Sequence, residues 1–149
     1  MLNDVYNRRI IELAGTIPRI GRLPAPDASA TAVSKLCGST VTIDLKMEGD
    51  TVTDFAHEVK ACALGQASAS VLGAHVIGAT PEEIEAARDQ FRRMLKEGAP
   101  APEGRFAELS LLAPVKDYPA RHASTLLAIE ATAEAVREAQ TRTSPAGAA

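Results

Sequence analysis

From Thr40 the chain alternates, with Val41, Ile43, Leu45 and Met47 on one side and Thr40, Thr42, Asp44 and Lys46 on the other. Period two is the signature of a strand with one buried face. Glu48-Gly49-Asp50 then supplies a tight turn, and Thr51 to Val59 reads as the returning strand of a hairpin. In that return Val52 and Phe55 fall on opposite faces unless a bulge lies near Asp54. A third strand is expected over Ala30 to Leu36.

Elsewhere the period is helical. Leu2, Val5, Tyr6, Ile10, Ile11 and Leu13 recur at helical intervals up to Gly15 and Pro18, and Pro18 to Ser29 reads as a surface connection. The run Ala63 to Ile77 is dominated by Ala, Ser and Gly, whose small side chains let a helix lie close to a sheet. Thr80-Pro81-Glu82-Glu83 is a helix start: Thr80 caps, Pro81 fits the first turn and Glu83 reaches back to close a capping box. Ile84, Ala87, Phe91 and Met94 form the buried stripe of that helix, and Gly98 ends it. Ala99 to Gly104 is a linker, a short helix covers Phe106 to Leu112, and Leu126, Ile129, Ala133 and Val136 mark a final long helix. Helix, two or three strands, then three or four helices make an α+β fold, a small antiparallel sheet packed in two layers against helices. One domain is expected over 1–140, with 141–149 a flexible tail.

Composition narrows the function classes. A chain of 149 residues, 46% of them hydrophobic, is long enough for one core. Aromatic residues are 3% and the net charge is -3, so neither stacking platforms nor a general phosphate-binding surface is available, and nucleic acid is not an expected partner. The N-terminal residues lack an apolar run with a cleavage site and no stretch has the length to span a bilayer, so no membrane association and a cytoplasmic location are expected. No phosphate-loop pattern is present, and Ser68 and Ser70 lack a nucleophile-elbow context and a base, which argues against a hydrolase.

The chemistry rests on Cys37 and Cys62, the two cysteines of the chain. Thiolates are soft, charged donors suited to iron, zinc and sulfane sulfur, whereas two buried thiols would be merely small apolar residues. The surrounding words decide between these. Cys37-Gly38-Ser39 opens the first strand of the hairpin, Cys62 precedes the helix word Ala63-Leu64-Gly65-Gln66-Ala67-Ser68-Ala69-Ser70, and Pro119-Ala120-Arg121-His122-Ala123-Ser124 leads into the final helix. In order and spacing these resemble the iron–sulfur cluster assembly scaffolds of the NifU/IscU/SufU type, over about Leu2 to Arg137. The family carries Cys-Gly-Asp, a second Cys and a third Cys at these places; here its Asp is Ser39, its third Cys is Ser124 and the His or Lys before that Cys is Ala123.

The resemblance implies a scaffold that is not an enzyme and that binds iron or a labile [2Fe–2S] cluster and passes it to apoproteins. It implies a site formed by Cys37, Cys62, Ser39 and Ser124, with Cys37 and Cys62 as metal ligands and zinc an alternative metal. The implied partners are a cysteine desulfurase, recipient apoproteins and, since two thiolates leave coordination positions open, a second copy of the chain in a homodimer or an exogenous thiol. Two alternatives stay open: a non-catalytic interaction module that keeps the scaffold fold, and a zinc-binding sulfur-transfer partner of a desulfurase. His122 and His57 are read as polar surface residues in preference to ligands, His75 as structural, and Arg121 as either a neighbour of the thiolates or a surface ion-pair residue.

Overall fold

The computed structural model describes residues 7–36 and 38–143. Its elements are α1 (Arg8–Gly15), β1 (Ala28–Ser34), β2 (Ser39–Glu48), β3 (Thr51–Lys60), α2 (Ala63–His75), α3 (Pro81–Glu97), a 3-10 segment (Gly104–Asp117), a second short one (Pro119–Arg121) and α4 (His122–Thr143). The helix expected from Leu2 starts, among the described residues, at Arg8, where the Asn7 side chain accepts from Ile10 N at 3.0 Å. Helix α4 runs past residue 140, where the pattern placed the end of the domain.

The three strands form one antiparallel sheet in the order β1-β2-β3. The expected hairpin closes on Gly49 at φ 58, a left-handed conformation that glycine adopts without strain. Register slips between Lys46, opposite Asp54, and Met47, opposite Val52, so Thr53 is the extra residue of a bulge. That bulge lets Val52 and Phe55 both be 1% exposed although an odd number of positions separates them.

Val41, Ile43 and Leu45 of β2 face the core with Phe55 and His57 of β3 and Ala28 and Ala30 of β1. Helix α4 lies over β1 and β2 and α2 lies beside it against β3, with α1 packed on α2 and α3 on α4. Helix α2 is therefore enclosed, and Leu64, Gly65 and every residue from 67 to 73 are buried. Only small side chains permit burial on opposite faces of one helix in so close a packing. Gly73 marks the limit: a β carbon there would fall 2.7 Å from Pro18 O and 3.3 Å from His57 Nε2.

Helix α3 begins with the expected capping box, Thr80 accepting from Glu83 N at 3.1 Å while the Glu83 carboxylate accepts from Thr80 N at 3.0 Å, and it ends at Gly98 with φ 71. The short helix expected over Phe106 to Leu112 is instead the longer 3-10 segment, which buries Phe106, Leu109, Leu112 and Val115. The opposite face of the sheet is polar. Within it Asp44 is fully buried beneath the connection before β1, accepting from Arg22 Nε at 2.6 Å, Leu23 N at 3.0 Å and Ser29 Oγ at 2.6 Å. Among the described residues no helix is long and apolar enough to cross a membrane.

Candidate functional site

Pairing of Ser34 with Ser39 and of Thr40 with Lys60 brings the entry into β2 and the exit from β3 to one end of the sheet. At that end Gly38, at φ 73, donates its N–H to Ser34 O at 2.8 Å, a tight reversal for which glycine is suited. Ser34 and Ser39 are each 3% exposed. Cys37 lies outside the described residues.

Two residues beyond β3, Cys62 is the N-cap of α2, extended at ψ 172, with its carbonyl accepting from Gln66 N at 2.9 Å. It is half-buried, and its Sγ stands 3.5 Å from Ser124 Oγ. The first N–H groups of a helix have no intrahelical partner, so the start of α2 favours negative charge at this point.

Ser124 comes from the first turn of α4 and is 1% exposed. Its hydroxyl donates to Arg121 O at 3.2 Å, and the same carbonyl accepts from Thr125 Oγ1 at 2.7 Å. A hydroxyl has one proton, so with that proton on Arg121 O the serine oxygen is an acceptor for the Cys62 thiol. The approach of the two helix starts depends on Gly65, where a β carbon would fall 3.0 Å from Ser124 O. Gly65 is a site-shaping residue that motif reasoning passed over; its signal was a glycine one turn after the cysteine.

His57 and His122 are placed differently from the expectation. His122 is buried, and its Nε2 donates to Val115 O at 3.0 Å and Lys116 O at 3.1 Å, tying the end of the 3-10 segment to the start of α4. It is neither a surface residue nor directed at the thiol. His57 is also fully buried: Nε2 donates to Pro18 O at 2.8 Å, and Nδ1 has no hydrogen-bond partner. Burial pushes its pKa down, and the Pro18 bond offsets this only in part. His75 is structural as expected, 3.0 Å from Glu108 Oε1. Arg121 is exposed and makes no ion pair with a carboxylate among the described residues; its carbonyl meets the site by accepting from Ser124 Oγ.

Among the described residues no group of three or more His, Cys, Asp and Glu is arranged to hold a metal ion. Cys62 is a soft donor, whereas the neutral hydroxyl of Ser124 is a poor ligand and cannot carry sulfane sulfur.

The family model for the NifU-like N terminal domain matches residues 5–125. The iron-sulfur cluster assembly scaffold protein IscU of Thermotoga maritima is 29% identical over 134 residues, which is 90% of this chain and 94% of that protein. The crystal structure of a nitrogen-fixing NifU-like protein (N-terminal) from Brucella abortus is 62% identical, with a TM-score of 0.91 over 93% of this chain and 96% of that one. A putative scaffold protein for the SUF system from Fervidobacterium islandicum, 24% identical, has the same fold at a TM-score of 0.82 over 90% of this chain and 98% of that one. The α+β architecture and the resemblance read from the cysteine words are thus borne out: the chain belongs to the NifU-like N-terminal domain family.

Proposed function

We propose that this chain is an iron–sulfur cluster assembly scaffold, whose cargo is iron or a labile [2Fe–2S] cluster held by the thiolates of Cys62 and Cys37 and passed on to apoproteins. The observation that carries the proposal is the placing of Cys62 Sγ 3.5 Å from Ser124 Oγ, at the end of the sheet that also holds Gly38 and Ser39, in a chain of this family. Cys62 binds the cargo from the positive end of α2. When its thiol gives up a proton, the Ser124 hydroxyl can turn from Arg121 O and donate to the sulfur. Ser39, buried at the start of β2, belongs to the same end of the sheet, and no small substrate is turned over. A cysteine desulfurase as sulfur source and a cytoplasmic setting belong to the same reading.

The test is anaerobic reconstitution with ferrous iron and sulfide, followed by iron and acid-labile sulfide analysis per chain. The parent should hold both in a ratio near one, and Cys62→Ala and Cys37→Ala should each lose most of it. Retention in both variants would overturn the proposal. A second reading, an interaction module that keeps only the fold, is favoured by Ser124 at the third cysteine position; it predicts no iron or sulfide in the parent.

A further inference from the structure

Beside the start of α4 the surface opens into a cavity of about 620 Å³, lined by Val33, Lys96, Lys116, Ala123, Leu126 and Glu130 among others. Its apolar wall includes Val33, a valine left 57% exposed on the edge strand. Its charge is lopsided. Glu130 is already paired with Arg92 at 3.2 Å, while Lys96 and Lys116 make no ion pair among the described residues. Two uncompensated ammonium groups over an apolar wall, in a chain whose net charge is -3, select an anionic ligand with an organic body.

The cavity lies at the same end of the fold as the site: its lining residues Val33 and Ala123 are the chain neighbours of Ser34, which pairs with Ser39, and of Ser124. We propose that this cavity binds a small peptide-like thiol bearing two carboxylates, whose sulfur supplies the iron ligand that Ser124 cannot; this rests on the scaffold reading above. The carboxylates meet Lys96 and Lys116. The thiol gives its proton to water and its thiolate to iron, so no oxidant or reductant is needed.

Calorimetric titration of the metal-free chain with glutathione and with S-methylglutathione tests the cavity without any cluster. Both should bind saturably at one per chain, each about fivefold more weakly after Lys96→Glu or Lys116→Glu, as expected for loss of one well-placed exposed charge pair. The control Lys46→Glu should bind like the parent. Absence of saturable binding, or equal losses in the control, would overturn the proposal; so would binding of a hexaglutamate peptide with none of glutathione, which would mark a surface for an acidic protein segment. On the reconstituted protein, glutathione should slow cluster loss and S-methylglutathione should not. Equal protection by both would remove the sulfur ligand from the proposal. Iron and sulfide content after reconstitution reports on the scaffold reading separately.

Discussion

The hydroxyl of Ser124 is fixed from one side by Arg121 O and faces Cys62 Sγ on the other, so a thiol in its place would be directed at the same neighbour. Serine and cysteine differ by one atom, and Ser124 is 1% exposed, so Ser124→Cys adds a soft donor with little change of shape. Together with Ser39→Asp it should raise zinc or iron bound per chain under anaerobic conditions, measured against the parent in parallel; no rise would mean that the pocket has changed along with its ligands. Asp44 shows a different dependence. Burial alone would push its carboxyl up, but the bonds from Arg22, Ser29 and Leu23 N–H outweigh it and hold the pKa below the ordinary value. Its stabilising contribution is therefore complete above the unfolded value near about 3.9 and is lost as pH falls through the folded one. Asp44→Asn should cost about 2 kcal/mol in urea unfolding at neutral pH, less than a fully buried pair because Arg22 is half exposed. The Cys62 and Ser124 positions were legible because each sits in a local word; the fates of His57 and His122 were not, since the carbonyls that hold them belong to Pro18 and to Val115 and Lys116.

At the scale of elements, the segment before β1 is latched to the outer edge of β3. His57 N donates to Arg19 O at 3.0 Å, His57 O accepts from Gly21 N at 2.9 Å, and the imidazole holds Pro18 O. This pairing covers a sheet edge that would otherwise present open backbone groups. Protonating His57 would place a charge in the core and a second ring N–H where Nδ1 has no partner. Because its folded pKa is depressed, the neutral ring's contribution is complete above the unfolded value near about 6.5 and is lost as pH falls from there toward the folded value. Unfolding free energies measured between pH 7 and 5 should accordingly fall for the parent and fall less steeply for His57→Gln. At the start of α3, Thr80→Ala should cost about 1 kcal/mol by opening the capping box. That box, the alternating β2 and the bulge near Asp54 were readable because period and cap chemistry are written within a few residues. The 3-10 segment was not: Gly104–Asp117 includes Pro114, and its turns are set by packing against α2 and α3.

For the whole molecule, what matters is how few soft donors meet at the site. Cys37 and Cys62 are the sole cysteines, and the third family position holds an oxygen, so an iron pair bound here keeps open coordination positions. On the scaffold reading proposed above, thiolates from a second chain or from solution fill them, and cluster retention is then a function of protein and thiol concentration. A reconstituted [2Fe–2S] form should bleach on dilution, measured by its visible absorbance, and added glutathione should slow the loss. Chelator should remove the iron faster from the parent than from the Ser124→Cys variant, whose third sulfur would stay attached through dilution. A cluster equally stable in dilute and concentrated protein without thiol would contradict this. It would require a further donor among the residues of this chain, and the buried, carbonyl-bound rings of His57 and His122 are poorly placed to be that donor.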